Sequence, residues 1–441
     1  MGLEMKKIAV IGTGISGISA AYYLNKLNYD VAVYESNDYF GGHTNTIDVE
    51  VDGLRIPVDT GFLVHNDRTY PNLIDFFKEL RIETFPSEMS FSVMRKTDGI
   101  TWAGSNLLTI FAQFRNLFSL RFHKFLREVL RFNKFSRDYL SECEGKLEVT
   151  LEDLLMENKY STDFKKWYLL PMGGCIWSSP TNEMLKFPAF TFLKFCLNHG
   201  LLQIYNRPKW NTVLNGCNTY VEKVLKRIDK KFLNEPVREV NSQDGKLNVT
   251  TDQRIENYDY CIICTHPPEA LKMLKNCDPQ TNDILCKFKF QENKAVLHLD
   301  ESVLPDKKIA WSAWNYNSAK SDDGKDKVSV SYLINKLQPL PCKESVIVTL
   351  NPVNTIKNDK IIKTIFYQHP LFSTESIKAQ DKMSNIQGSN GIYFSGAWMR
   401  YGFHEDGILS TKKAIKTLLS DDSLNNNSVS YTHLRAHETL S

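Results

Sequence analysis

Residues 6–17 read KKIAVIGTGISG, and residues 31–35 read VAVYE. Ile8 to Ile11 is a short apolar run rich in β-branched side chains, which predicts a buried parallel strand. Three glycines follow at once in the spacing G-x-G-x-x-G. In this spacing the first makes a tight turn, the second lets backbone approach a pyrophosphate, and the third allows close helix packing. Ile18 to Leu27 has helical spacing, so a pyrophosphate is expected at a helix N-terminus.

An acidic residue stands at the end of the second predicted strand. Asp30 to Tyr34 forms that strand, and Glu35 follows it directly. A carboxylate at this distance from the glycines can accept both hydroxyls of an adenosine ribose. It favours an unphosphorylated ribose, as in NAD or FAD, over NADP. A glycine turn between a strand and a helix, with no ligand, is the alternative.

The stretch from Gly12 to Thr44 resembles the N-terminal signature of the flavin-containing amine oxidase and phytoene desaturase superfamily. In that superfamily a Gly-Gly pair follows the second strand, as Gly41-Gly42 does here, and Arg usually comes next, where this chain has His43. Small residues are expected there because backbone passes close to a bulky cofactor. The resemblance therefore favours FAD over NAD.

The C-terminal part resembles the second flavin motif of the same superfamily. Gly391 to Trp398 is a predicted strand that contains Phe-Ser-Gly at residues 394–396, and Gly407 opens a helix expected over Ile408 to Leu419. Such a helix N-terminus can point at the flavin edge where the reduced ring is negative. An Asp or Glu usually follows the glycine of this motif, whereas this chain has Ala397. No cysteine lies between Gly396 and Gly407, so the FAD is expected to be noncovalent.

The resemblance also assigns cofactor contacts residue by residue. Thr60 and Gly61 belong to a segment that runs beside the flavin ring in the superfamily, although a plain glycine turn explains them equally well. Val237 stands where a valine meets the adenine. The implied cofactor-binding residues are Gly12, Gly14, Ile15, Ser16, Gly17, Glu35, Ser36, Gly41, Gly42, His43, Thr44, Thr60, Gly61, Val237, Gly396, Ala397, Gly407 and Ile408.

Two distant motifs that serve one site imply a split domain. The expected fold class is α/β, with a split Rossmann-type, glutathione-reductase-like FAD-binding domain and an inserted α+β substrate domain. The expected FAD-binding parts are residues 1–66, 208–268 and 385–420. The expected substrate-domain parts are residues 67–207, which are helical, and 269–384, which form a sheet. Residues 421–441 are expected to be a disordered or artefactual tail.

Composition is that of an ordinary globular enzyme, with 42% hydrophobic and 24% charged residues. The net charge of +3 implies no general attraction to nucleic acid. Nine cysteines without a disulfide-like framework fit a reducing cytoplasm. Cys261 and Cys264 lie in a predicted strand and point to opposite faces, so no metal site is expected. No apolar run approaches a membrane span, and a strand that starts near Lys6 leaves no room for a signal peptide.

A basic, Phe-rich stretch occupies residues 105–140. Leu, Ile and Phe recur there at helical spacing, and Glu128 is the only acid before Asp138. The positive charges are Arg115, Arg121, Lys124, Arg127, Arg131, Lys134 and Arg137. Such a stretch can lie on an anionic membrane surface, or it can be a helical pair that covers the substrate domain with its charges in solvent. In both cases, a hydrophobic substrate is expected to enter the protein at residues 105–140.

Six residues are candidates for chemistry or substrate contact. His298 lies in an apolar strand and is a candidate catalytic residue, although a hydrogen-bonded core histidine fits the same pattern. His404 is the second candidate, at the place where many amine-oxidising members carry an aromatic residue. The candidate substrate contacts are Cys175, Trp177, Trp314 and Tyr401.

The flavin resemblance implies an FAD-dependent oxidoreductase that transfers hydride from a substrate C–H to flavin N5. Gly173–Trp177, Ala310–Asn315 and His404–Asp406 most resemble a bacterial branch of NAD/FAD-binding proteins found beside cyclopropane-fatty-acid-synthase-like methyltransferases. That branch implies a fatty-acyl or phospholipid substrate that is oxidised or desaturated, a methyltransferase partner, and a cytoplasmic protein with optional contact to the inner membrane face. The alternatives are an amine oxidase acting on a small amine, and a flavin-bound partner of a lipid-modifying enzyme that has no turnover of its own.

Overall fold

The computed structural model describes residues 5–142, 147–177, 181–203, 205–243, 245–320 and 326–425. Its strands are β1 (Lys7–Ile11), β2 (Asp30–Tyr34), β3 (Thr46–Val51), β4 (Leu54–Asp59), β5 (His65–Asn66), β6 (Thr84–Pro86), β7 (Phe91–Arg95), β8 (Ile100–Ala103), β9 (Trp210–Val213), β10 (Lys230–Phe232), β11 (Val237–Gln243), β12 (Lys246–Thr251), β13 (Ile255–Tyr258), β14 (Tyr260–Ile263), β15 (Lys289–His298), β16 (Trp314–Lys320), β17 (Asp326–Leu333), β18 (Ile347–Leu350), β19 (Ile361–Leu371) and β20 (Ile392–Phe394). Its helices are α1 (Ile15–Lys26), α2 (Pro71–Leu80), α3 (Leu107–Ile110), α4 (Leu120–Glu142), α5 (Leu151–Glu157), α6 (Thr162–Phe164), α7 (Leu170–Trp177), α8 (Thr181–Leu185), α9 (Ala189–Asn198), α10 (Asn218–Leu225), α11 (Pro267–Met273), α12 (Pro279–Leu285), α13 (Ile334–Leu337), α14 (Thr374–Asp381) and α15 (His404–Asn425).

A five-stranded parallel sheet holds both predicted motifs. Its strand order is β10-β2-β1-β14-β20, and Val10 of the central strand pairs with Val33 on one side and Ile262 on the other. These side chains are buried, as parallel strands covered on both faces require. The five strands come from three separate stretches of the chain, so the predicted split α/β fold class is confirmed. The finer domain boundaries stay a prediction.

The last helix is longer than the sequence indicates at both ends. The predicted start was Gly407, but α15 begins at His404. Residues 421–425, assigned to the tail, continue the helix, and Asp421 accepts a hydrogen bond from the Tyr393 hydroxyl at 2.7 Å. This tie to the parallel sheet explains why the helix extends so far. Residues 426–441 of the expected tail lie outside the described part of the chain.

A seven-stranded sheet belongs to the substrate domain. Its order is β19-β15-β18-β17-β16-β7-β8, antiparallel except where β16 pairs with β7. One hydrophobic core joins this sheet to the helices of residues 120–198, and Phe122, Phe125 and Phe132 of α4 are buried in it. The apolar face of the basic stretch therefore covers the substrate domain, while its cations face outward.

Helix α7, which carries the candidate substrate contacts Cys175 and Trp177, contains a proline in its first turn. The sequence indicates a helix that ends at Pro171, whereas α7 continues to Trp177. A π-helical turn over Lys165–Leu169 precedes the proline and widens the helix at that point. The Trp167 carbonyl, which an N–H at position 171 would otherwise use, accepts a hydrogen bond from Trp102 Nε1 at 3.2 Å.

Candidate active site

A cavity of about 1150 Å³ lies between the parallel sheet and the substrate domain. It slightly exceeds the usual range of roughly 300–1,000 Å³ for small-molecule sites. At one end it is lined by Gly14, Ile15 and Ser16, at the start of α1. At the other it reaches the inner side of α4 at Leu126 and Val129. One continuous space thus connects the glycine turn with the substrate domain.

The glycine turn is shaped for close approach of a ligand. Gly12 has φ +91°, a conformation that favours glycine. A Cβ on Gly17 would collide with the Gly12 carbonyl oxygen, so this glycine is needed for the turn to pack on α1. A Cβ on Gly14 would meet nothing within 4 Å, because Gly14 faces the cavity. The backbone here is open to a ligand and is backed by a helix N-terminus.

The two predicted motifs meet at this turn. A Cβ on Gly42 would lie 3.1 Å from the Gly14 Cα, and one on Gly407 would lie 2.7 Å from the Ile15 Cγ2. Thr411 Oγ1 donates to the Ser16 carbonyl at 3.0 Å. These contacts bring residues from both ends of the chain to one side of the cavity.

Eight of the predicted cofactor residues line the cavity directly: Gly14, Ile15, Ser16, His43, Thr60, Gly61, Gly396 and Ala397. Others lie just behind this lining. Thr44 Oγ1 bonds to His404 Nε2 at 3.1 Å, and Ile408 is fully buried in the core beneath α1. Val237 begins β11 and packs at the edge of a separate core. Its contact with an adenine stays a prediction.

Glu35 is buried at the end of β2 and already accepts hydrogen bonds on both oxygens. Oε2 accepts from the Thr13 N–H at 3.0 Å and from the Thr13 hydroxyl. Oε1 accepts from the Asn37 N–H at 3.0 Å and from Asn37 Nδ2 at 2.9 Å. The Ser36 hydroxyl also donates to Oε1, at 3.5 Å. Since a carboxylate has about four acceptor positions, a ribose hydroxyl would have to replace one of these side-chain donors. Neither Thr13 nor Asn37 was predicted from the sequence.

Three histidines from distant parts of the chain converge on the cavity. The His43 ring stacks on Tyr367 with centroids 4.8 Å apart and lies 5.1 Å from the His369 ring. His266 stacks on Phe290 at 4.3 Å, and all three histidines line the cavity. Burial, reinforced by neighbouring His266, lowers the pKa of His369 to about 4. Burial and the nearby histidines hold the pKa of His43 well below its usual value. Both rings are therefore neutral at pH 7.

The two candidate catalytic histidines differ in position. His404 lines the cavity and stacks on Phe62 at 3.7 Å, and burial lowers its pKa to about 3. His298 lies inside the seven-stranded sheet. Its Nδ1 accepts from the Asp300 N–H at 3.0 Å, so Nε2 carries the proton and donates to the Thr349 hydroxyl at 2.8 Å. These are the contacts of a core histidine, and His298 is not among the cavity-lining residues.

All four candidate substrate contacts line the cavity: Cys175, Trp177, Trp314 and Tyr401. Trp177 Nε1 donates to the Tyr401 carbonyl at 3.2 Å, and its ring packs on Phe195 at 4.6 Å. The wall built by α7 and the loop before α15 is thus aromatic. The charged lining residues in the described part of the chain, apart from histidines, are Asp67, Arg207 and Lys209.

The chain matches the family of flavin containing amine oxidoreductases over residues 15–338. This chain belongs to that family. The 1-hydroxycarotenoid 3,4-desaturase of Flavobacterium sp. (strain P99-3) is 31% identical over 225 residues, which cover 49% of this chain and 39% of the relative. The probable flavin-containing monoamine oxidase A of Dictyostelium discoideum is 23% identical over 280 residues, covering 59% and 57%. The chain therefore spans less than two thirds of either relative.

Solved structures share the fold of this flavin oxidoreductase. The CLA-producing fatty acid isomerase from P. acnes superposes with a TM-score of 0.65 at 14% identity, covering 93% of this chain and 98% of that one. The resemblance to the amine oxidase and phytoene desaturase superfamily is thus confirmed, and with it FAD as the cofactor and the flavin-dependent oxidoreductase class.

The residues present fit FAD in this flavin oxidoreductase. The open backbone at Gly14, the N-terminus of α1 and the carboxylate of Glu35 suit a pyrophosphate and a ribose. One feature departs from the usual second motif. Trp398 follows Ala397, and its Nε1 donates to the Thr265 carbonyl at 3.3 Å while its ring packs on Phe288 at 4.6 Å. The position of the usual acid is held by Ala397, which has no side-chain acceptor, and the following Trp398 packs beside the ends of β14 and β15.

Neither a metal centre nor a membrane-spanning helix is present among the described residues. They hold no group of three or more His, Cys, Asp and Glu arranged for a metal ion. Within the same ranges, none of the helices combines the length and apolar character needed to cross a bilayer.

Proposed function

We propose that this flavin oxidoreductase oxidises or desaturates a fatty-acyl chain, either free or in a lipid. Bound FAD supplies the hydride acceptor for such a reaction. The chain's own residues bind the acyl group, exclude water from it and hold it beside the glycine turn, where FAD would bind.

The observation that carries this proposal is the continuous apolar cavity. It begins beside Gly14 and Ala397 and ends against Leu126, Val129 and Leu130 of α4. An extended acyl chain gains about 0.8 kcal/mol for each CH₂ group taken from water. A long apolar cavity therefore binds such a chain better than it binds a small polar molecule.

The charges of the cavity favour an anionic head group. Arg207 and Lys209 are the lining cations, and a carboxylate or phosphate would pair with them. The lining acid in the described residues, Asp67, accepts from the backbone N–H of Lys209 at 3.0 Å, so that two cations and one acid line the cavity. A protonated amine would meet repulsion rather than a carboxylate cage, so an amine substrate is less suited to the cavity.

The relative named 1-hydroxycarotenoid 3,4-desaturase is consistent with the class of substrate, since a carotenoid is a long apolar chain. The resemblance to proteins found beside fatty-acid methyltransferases adds such an enzyme as a partner, which co-purification would test. The cytoplasmic location expected from cysteine usage stays a prediction.

Anaerobic mixing tests the proposal. Purified holoenzyme receives oleate, phospholipid dispersed in detergent, or putrescine, and the loss of visible flavin absorbance is followed. Bleaching by oleate or the dispersed phospholipid, with product analysis showing the loss of two hydrogens as an added double bond, supports the proposal. Bleaching by putrescine alone would assign an amine oxidase, and no bleaching by any of the three would favour a flavin-bound partner without turnover.

A further inference from the structure

A group of large apolar side chains stands exposed before and at the start of α4. Leu107 and Leu108 are 74% and 73% exposed, Phe114 and Phe118 are each 73% exposed, and Leu120 is 85% exposed. We call these five residues the apolar platform. The Phe114 and Phe118 rings touch each other at 5.4 Å, edge to face, rather than the protein core. Large exposed apolar side chains gathered in one short segment usually mark a binding site.

The platform is built into the fold, because polar side chains of the same segment are buried. Thr109 is 8% exposed and donates to the Ala103 carbonyl at 3.0 Å, while its N–H is capped by Asn106 at 3.1 Å. Asn116 is 2% exposed, and its N–H donates to the Gln113 carbonyl at 2.9 Å. Thr109 and Asn116 therefore point inward while the platform residues point outward, opposite to the normal preference.

Unpaired cations flank the platform. Lys124, Arg127 and Lys134 are exposed on α4, and no ion pair joins them to an acid among the described residues. Arg121, in contrast, pairs with Asp163 at 2.5 Å. An apolar surface edged by free cations complements a bilayer that carries anionic head groups. A second copy of the chain fits less well, since an isologous contact would bring these like charges together.

The same surface leads into the cavity. Leu107 of the platform lines the cavity although it is 74% exposed, and so does Leu130 of α4, at 55% exposed. An acyl chain can therefore pass from a bilayer under the platform into the cavity along apolar side chains, without crossing water. A substrate that is sparingly soluble in water needs a route of this kind.

We propose that the apolar platform docks this enzyme on an anionic lipid bilayer, from which the acyl substrate enters the cavity between α3 and α4. The docking itself follows from the platform and its cations. Only the identity of the molecule that enters rests on the proposed function.

Vesicle sedimentation tests the docking. Holoenzyme is spun with vesicles of phosphatidylcholine alone or mixed with phosphatidylglycerol, and the bound fraction is measured at low and high salt. We expect the protein to bind the mixed vesicles and to bind them more weakly at high salt. Its affinity for vesicles of phosphatidylcholine alone should be lower by a factor of about ten or more. Phe114→Ser/Phe118→Ser should abolish binding, and Lys124→Gln/Arg127→Gln/Lys134→Gln should remove its preference for phosphatidylglycerol. Ile255→Ser/Phe366→Ser, which alters two exposed apolar residues elsewhere, is the matched control and should bind normally.

Flavin reduction by detergent-dispersed oleate is measured on the same proteins. Loss of vesicle binding in Phe114→Ser/Phe118→Ser with unchanged flavin reduction supports docking by the platform. Wild-type enzyme that ignores both kinds of vesicle but is reduced by oleate overturns the docking and leaves the function standing. If wild-type enzyme binds vesicles but no acyl substrate reduces its flavin, the docking stands and the proposed function is overturned. A wild-type dimer that the double serine variant converts to monomer, with no vesicle binding, would reassign the platform to a subunit interface.

Discussion

A Cβ built on Gly407 would lie 2.7 Å from Cγ2 of Ile15 and 2.9 Å from Oγ of Ser16. Gly407 therefore fits against the start of α1 only because it has no side chain. Gly407 of the C-terminal motif and α1 of the N-terminal motif therefore form one packed joint beside the glycine turn. This joint, together with the Thr411–Ser16 hydrogen bond, makes one site from two motifs almost a chain length apart.

Gly407→Ala should separate α15 from α1. The added methyl overpacks the joint, which typically costs about 1–3 kcal/mol. We expect a lower melting temperature for both the apoprotein and the holoenzyme, measured by calorimetry. Gly104→Ala is a suitable control, because its Cβ would meet neighbours at 3.7 Å or more. Equal melting temperatures for Gly407→Ala and wild type would show that the joint is looser than the structure indicates.

Gly14→Ala should act on the cofactor and spare the fold. Gly14 has φ −59°, which alanine adopts freely, and its Cβ would meet nothing within 4 Å in the absence of ligand. The apoprotein should keep its stability or gain about 0.4–1 kcal/mol. The methyl would occupy space beside the bound pyrophosphate, so we expect the FAD dissociation constant to rise about tenfold or more, equivalent to about 1.4 kcal/mol. Fluorescence titration of apoprotein with FAD measures this, and unchanged affinity would argue against a pyrophosphate at this turn.

Val129→Trp should shorten the acyl end of the cavity. Val129 projects from α4 into the lining, and an indole would fill space that a long chain needs. We expect KM for oleate to rise about tenfold while KM for octanoate changes little, since each excluded CH₂ forfeits about 0.8 kcal/mol. Val129→Ile is the matched control with a small volume change. Equal effects on both acids would place the acyl chain elsewhere.

Arg207→Gln should weaken anionic substrates selectively. A hydrogen bond to a charged group contributes about 1.5–3 kcal/mol, so KM for oleate should rise about tenfold or more. KM for methyl oleate, which has no negative charge, should stay the same. Arg68→Gln, at an exposed arginine that bonds Asn206 and does not line the cavity, is the control. A parallel rise for acid and ester would exclude a head-group role for Arg207.

Protonation of buried histidines should destabilise the apoprotein in acid. The pKa of His298 is lowered to about 4 by burial, below its value of about 6.5 in the unfolded chain. Its contribution to the free energy of unfolding is therefore fully present above pH 6.5 and is lost as pH falls from 6.5 toward 4. We expect a loss on the order of 1–2 kcal/mol from this residue between pH 7 and pH 5.

Urea unfolding at pH 7 and pH 5 measures this loss. His298→Gln, which can keep the hydrogen bonds to Thr349 and Asp300 but does not titrate, should show a smaller drop than wild type. The comparison isolates His298 from the other buried histidines, which titrate in both proteins. Identical drops would mean that His298 is protonated in the folded protein.

Local sequence patterns correctly predicted the first two strands of the FAD-binding domain. The predicted strands at Ile8–Ile11 and Asp30–Tyr34 agree with β1 and β2 to within a residue, because apolar β-branched runs and a glycine turn act over short distances. The start of α15 was misplaced because Glu405, in its first turn, accepts from the Asn72 and Leu73 N–H groups of α2, a contact remote in sequence. The helix through Pro171 was missed because Trp102, far away in the chain, takes up the hydrogen bond that proline cannot make.

The amino-acid order alone indicated the strand, glycine turn, helix and acid of a dinucleotide-binding unit. Its resemblance to the flavin-containing amine oxidase and phytoene desaturase superfamily implied the split fold and FAD, and each of these signals lies within a short segment of the chain. The convergence of His43, His266 and His369, the route of the cavity and the outward turn of Phe114 and Phe118 emerged only on folding. These features depend on packing between residues that are far apart in the chain. No local pattern encodes such contacts, because the burial of a side chain depends on which residues, distant in the chain, pack against it in the folded protein.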